Sequence, residues 1–143
     1  MEERLKQLLL QDLCARLPYD IICEVFDPQQ EYEEDVFNAH LIQIDAWTSH
    51  CYFWGCSETD PYDIEQVKPY LRPMSSMTEE EKKEFDNFCV IDEFVWKGKT
   101  EIGYKNQAII MSVAINWLLK KHFDFMDLIP KGLAIEVTEE NYG

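Results

Sequence analysis

Leucines mark the beginning of the chain. Leu5, Leu9 and Leu13 recur at four-residue spacing, and Leu8, Leu10, Cys14 and Leu17 broaden the stripe. That period predicts an amphipathic helix from about Glu2 to Leu17. Pro18 disfavours helical geometry at Leu17 and ends it there. The segment "YDIICEVF" is rich in β-branched and aromatic residues and predicts a strand, followed by the polar loop "DPQQEYEED". In "VFNAHLIQIDAW", Phe37, Ala39, Leu41 and Gln43 take one side, while Asn38, His40, Ile42, Ile44 and Ala46 take the other. Such incomplete alternation suits a strand covered over much of both faces. "TSHCYFWG" returns as its partner after a tight turn at Trp47–Ser49, so the early strands predict an antiparallel meander.

Helical signals dominate the second half. "DPYDIEQVKPYL" predicts a short helix with Pro61 in its first turn, Ile64, Val67 and Leu71 on one side, and Pro69 keeping it brief or kinked. In "LRPMSSMTEEEKKEF", Thr78 followed by Glu81 has the form of a capping box, and Glu79, Glu80 and Glu81 suit the positive end of a helix. Ser75 and Ser76, with acidic residues downstream, are chemically competent phosphoacceptors, but helix punctuation accounts for the stretch better. Phe85, Phe88 and Cys89 anchor this helix. "VIDEFVW", "KGK" and "TEIGY" read as a second hairpin around Gly98, with helix continuation into Val90–Phe94 as the alternative. "NQAIIMSVAINWLLKKH" is the clearest helix: Ile109, Val113 and Trp117 stack at four-residue spacing, as do Ile110, Ala114 and Leu118. Lys120, Lys121 and His122 suit its carboxyl end. A turn at Phe125–Ile129 leads through Pro130 and Gly132 into the strand "LAIEV", and "TEENYG" frays. The expected class is α+β. A single globular domain spanning 1–143 would have an N-terminal helix and an antiparallel sheet, a meander with an optional second hairpin, packed against about three to four helices.

Charge narrows the range of partners. The 143 residues carry 28 acids against 13 bases, a formal net charge of −15. Such a surface repels phosphate backbones and anionic membranes, so direct nucleic-acid and membrane partners are disfavoured and a basic protein partner is favoured. Residues 94–135 reverse the sign, with 3 acids and 6 bases. The five cysteines, Cys14, Cys23, Cys51, Cys56 and Cys89, form no short-loop framework, and the start of the chain has no secretory pattern. A cytoplasmic protein with reduced thiols is the expectation.

Motifs that carry chemistry are sparse. His50 and Cys51 are strand neighbours and point to opposite faces, whereas Cys23 and His40 have the chance to face each other across paired strands. With Cys51, they are the candidates for a reactive site. His40, His50, Cys51 and Cys56 offer soft ligands, but without the close pairs of a structural zinc site. Asp60, Asp63 and Glu65 lack the spacing of a calcium loop. No phosphate-cradling glycine loop, dinucleotide fingerprint or nucleophile elbow occurs, so neither cofactor nor metal is expected. The aromatic residues Trp47, Tyr52, Phe53 and Trp54 suit a core better than an interface. Yet Phe53 must diverge from Tyr52 and Trp54, which makes Trp47, Tyr52 and Trp54 the candidate partner surface.

Three phrases, "LLLQDLCARLPYDIIC", "VKPYLRPMSSMTEEEKKEF" and "HFDFMDLIPKGLAIEV", resemble a family of small uncharacterised proteins of gut Bacteroidales and their phages. The resemblance covers about half the chain and departs from the family between Asp86 and Gln107. It implies a bacterial or phage-encoded cytoplasmic protein of mobile-element type, and it brings no assigned activity and no catalytic residues to transfer. The leading expectation is a non-enzymatic accessory protein that binds another protein. One alternative is a small enzyme with a cryptic site at Cys23, His40 or Cys51; the other is a nucleic-acid mimic acting on a DNA-binding protein.

Overall fold

The computed structural model describes residues 1–27, 36–54, 61–89 and 101–138. The leucine stripe forms α1 (Glu3–Arg16), with Leu9 and Leu13 fully buried. The strand β1 (Ile22–Phe26) alternates cleanly: Cys23 and Val25 point into the core, while Ile22, Glu24 and Phe26 point away. β2 (Val36–Asp45) pairs antiparallel with β1, and β3 (His50–Phe53) returns antiparallel along β2 with a register shift between Leu41 and Gln43. These three strands form the expected meander.

Residues 60–71 depart from the expectation of a short helix. Among the described residues they form β4 (Tyr62–Asp63), a single 3-10 turn at Ile64–Gln66, and β5 (Val67–Leu71). Ile64, Val67 and Leu71 match a helical period, but Val67, Pro69 and Leu71 also alternate, and that second pattern prevails because Val67–Pro69 pair antiparallel with Cys23–Val25 of the core strand β1. On the far side of β5 the ladder starts only at Tyr70, so Pro69 breaks no bond there. Asp63 caps the intervening turn: its carboxylate accepts from Glu65 N, and its amide donates to Gln66 Oε1.

The capping box forms as expected. Glu81 N donates to Thr78 Oγ1 at 3.1 Å and Thr78 N donates to Glu81 Oε1 at 3.0 Å, opening α2 (Glu79–Cys89). Thr78→Ala should therefore cost about 1 kcal/mol in urea-monitored unfolding, and Thr78→Ser much less. The helix α3 (Glu101–Lys120) begins earlier than expected. Glu101–Tyr104, read above as the second strand of a hairpin, is its first turn, where a carboxylate at the amino end is favoured. The rest of that hairpin, residues 90–100, lies outside the described residues, as do most of the polar loop, Cys56 and the C-terminal tail.

α3 closes with a Schellman motif. Phe123 N donates to Leu118 O, His122 N donates to Leu119 O, and His122 takes the left-handed conformation (φ 63°). Gly132 (φ 72°) ends the next turn in the same way. β6 (Ile135–Glu136) then runs parallel to β5. Among the described residues the sheet is mixed, six strands in the order β4-β3-β2-β1-β5-β6, and the fold is α+β with α1 over the core face. The main core joins α1, the inner face of the sheet and Leu128–Ala134. A second cluster joins Trp117, Leu118 and Phe123 to Met77, Phe85 and Phe125.

Candidate functional site

Polar groups converge where the two clusters meet. Asp12 and Arg16 share the buried face of α1 with Leu9 and Leu13. Arg16 Nε and Nη2 donate to the two Asp12 oxygens at 2.6 and 3.1 Å, and Nη2 also donates to Phe123 O at 2.7 Å. Arg16 Nη1 has no hydrogen-bond partner among the described residues. Burial pushes the Asp12 carboxyl up from its ordinary value, against the pull of Arg16. Nearby, the buried Asp124 carboxylate accepts from Leu128 N and Ile129 N, fixing the turn after α3. Arg72, just beyond β5, stacks over Phe123 with its guanidinium carbon 4.2 Å from the ring centroid and forks onto both Glu81 oxygens at 2.9 and 2.7 Å. Its backbone bonds to His122 O and Asp124 N. This network ties α1, β5, α2 and the end of α3 together, and its groups are engaged in holding the fold.

Its titration gives a pH prediction. The Arg72 guanidinium holds the Glu81 carboxyl down to about 2, with the capping amide of Thr78 adding to the effect. Burial, then the charge of Arg16, lowers the His122 imidazole below its usual 6.5. Both folded values lie below the unfolded ones, so in each case the unfolded chain binds more protons and stability falls on acidification. The losses occupy two windows: one begins as pH drops below 6.5, the other runs from 4.5 to about 2. Urea midpoints should fall through the first. In the second, Asp12, whose carboxyl burial pushes up, acts in the opposite sense, so the Glu81 loss is read as the difference between the wild type and Glu81→Gln. His122→Asn, which tolerates the left-handed backbone, should flatten the first.

The sequence-derived reactive candidates do not assemble. Register pairs Cys23 with Ala39 and His40 with Ile22, so the thiol and the imidazole lie on opposite faces of the sheet. Cys23 is fully buried, and burial pushes its thiol well above the usual range; Cys51 is pushed up to about 12 by the same cause. Neither thiol offers a thiolate near neutrality. His40 Nδ1 lies 2.7 Å from Asp20 Oδ1 at the surface. Among the described residues no three His, Cys, Asp or Glu side chains converge as a metal set. Two surface depressions, of about 280 and 370 Å³, are lined by Glu24, Phe26, Val36, Glu65, Gln66 and Lys68, and by residues of α1 with Lys131. Neither gathers a nucleophile with a base.

The hairpin of β2 and β3 is different. Its inner face is core: Leu41, Cys51 and Phe53 are buried, and the edge of Phe53 meets Tyr62 at 5.9 Å. Its tip is built by Asp45, whose carboxylate accepts from Trp47 N and Thr48 N, and by Ser49 at φ 60°. This turn lifts Trp47 to 96% exposure, and Trp54, where β3 ends, is 65% exposed. Tyr52 is half-buried on the outer face, opposite Gln43. The preference for placing these aromatics in the core therefore holds for Phe53 and fails for the two tryptophans. Trp47 occupies a turn tip whose backbone its neighbour Asp45 caps, and Trp54 continues the outward alternation.

No helix among the described residues is long and apolar enough to cross a membrane. The architecture is thus an α+β domain with a mixed sheet, a buried ionic junction and an aromatic hairpin. Comparison with family models, curated proteins and solved structures finds no match.

Proposed function

We propose that the chain is a non-catalytic accessory protein, bacterial or phage-encoded and cytoplasmic, that binds a basic protein partner through Trp47, Tyr52 and Trp54. The observation that carries this reading is the exposure of Trp47 and Trp54 on a hairpin whose other face is anchored in the core. Tryptophan is, with tyrosine and arginine, among the residues enriched at interface hot spots. Its ring face also suits stacking with arginine from a basic surface. Asp45 and Asp63 flank the aromatics, the latter through its pairing with His50, and the net charge of −15 would steer a cationic partner at long range. The likeness of three sequence blocks to phage and Bacteroidales proteins supports the suggested origin.

Affinity capture from a host lysate, comparing the wild type with Trp47→Ala/Trp54→Ala, tests the reading. A stoichiometric basic partner should be retained by the wild type and by the control Met74→Ala, at an exposed apolar residue outside the hairpin, with retention weakened by raised salt. The double variant should bind it at least about ten-fold more weakly, the equivalent of about 1.4 kcal/mol, with an unchanged melting temperature. Equal retention by the double variant would sink the proposal.

A further inference from the structure

Apart from its C-terminal turns, α3 is dressed for an interior and left in solvent. From Ala108 to Leu119 it carries no formal charge, yet Tyr104, Met111 and Ile115 are 56%, 53% and 38% exposed, and Ala108 is exposed between them. A helix that is apolar over so much of its circumference is normally buried. Ala114, Trp117 and Leu118 are buried, and α2 packs on α3, which accounts for only one side of it. Tyr104, Ala108, Met111 and Ile115 follow one another at spacings of four, three and four, the repeat of a helix–helix seam.

We infer that this seam pairs with the same seam of a second copy of the chain, antiparallel about a two-fold axis, so that the α2–α3 pairs of two molecules form a four-helix bundle. Three observations favour a second copy over a foreign partner. First, a two-fold axis midway along the seam sets Tyr104 against the partner's Ile115 and Ala108 against the partner's Met111. Large thus meets small at the centre, as isologous packing requires. Second, the seam has no acid. A foreign protein attracted by a charge of −15 would be met by carboxylates, whereas a neutral stripe is where two such acidic molecules can touch without like-charge contact. Third, the neighbouring helices are complementary: α2 carries five acids and two bases, while α3 carries Lys105 and Lys120 against Glu101 alone. In a bundle, α2 of one copy lies beside α3 of the other. This seam lies on a different element from the aromatic hairpin, and the inference stands independently of the proposed partner.

Sedimentation velocity of the full chain tests it, with an acidic substitution placed in or out of the seam. The wild type should sediment at twice 17.0 kDa at concentrations of about 10 μM, and more completely at higher salt, because screening removes repulsion between two anionic bodies. Met111→Glu and, separately, Tyr104→Glu should weaken dimerisation at least ten-fold while keeping the wild-type circular dichroism. Asn116→Glu, exposed and about 110° around the helix from the seam's centre, should leave it intact. A wild-type monomer at about 100 μM in raised salt would overturn the inference. So would a dimer indifferent to both seam variants, or a monomer that instead co-sediments with neutral lipid vesicles.

Discussion

Arg16→Met is expected to destabilise the protein by about 3–5 kcal/mol, because it leaves the Asp12 carboxylate buried with its charge uncompensated. Arg16 is fully buried, and it supplies both hydrogen bonds to Asp12 and one to Phe123 O. The methionine keeps most of the aliphatic stem, so packing alone would cost far less. Two further measurements separate charge from packing. Asp12→Leu/Arg16→Met should recover much of the loss, since replacing both members of a buried pair by apolar groups is often nearly neutral. The single variant should also gain stability on acidification, as Asp12, already pushed upward by burial and now without its cation, becomes protonated in the fold first. The His122 and Glu81 windows persist in the variant and act in the opposite sense, so this gain is read relative to the wild type at each pH. A single variant within about 1 kcal/mol of wild type by urea unfolding would mean that water reaches the pair.

The second large effect is expected at Phe123. Its side chain is fully buried, stacks on Trp117 with centroids 5.9 Å apart, and forms the platform under Arg72. Phe123→Ala should cost about 3–5 kcal/mol as a cavity opens between these rings. The melting temperature should fall by roughly 10 °C or more for a chain of this size. The near-ultraviolet circular dichroism of Trp117 should weaken even well below the transition. Phe123→Leu should lose clearly less, since most of the volume is kept. If the two variants are equally stable, the ring is not filling the space between Trp117 and Arg72.

How far these elements were legible depended on whether one local pattern stood alone. The leucine stripe of α1, the Thr78–Glu81 cap and the β1–β3 meander each had one interpretation, and each formed. At Ile64–Leu71 two periods coincided, and only pairing with β1 decided between them. Glu101–Tyr104 has strand-like composition but continues into the apolar run of α3, and a helix already nucleated downstream extends through it cheaply. The buried ion pair was visible in principle. Asp12 and Arg16 stand three and seven residues after Leu9, on the apolar face, and an acid and a base in that register are a signal of a paired interior charge. The exposure of Trp47 was less accessible, because composition alone does not say whether a tryptophan lies in a strand or at the apex that Asp45 shapes. The separation of Cys23 from His40 turned on a single step of register, which sequence pattern does not resolve.

The outermost strands of the sheet, β4 and β6, are each two residues long among the described residues. An extended peptide needs a run of free backbone donors and acceptors to add itself as another strand, and two residues offer almost none. Among the described residues, β4 and β6 themselves therefore offer little for main-chain zippering. A partner meeting these two strands would be held mainly through side chains, which allows such binding to be rewritten one residue at a time without disturbing the sheet beneath.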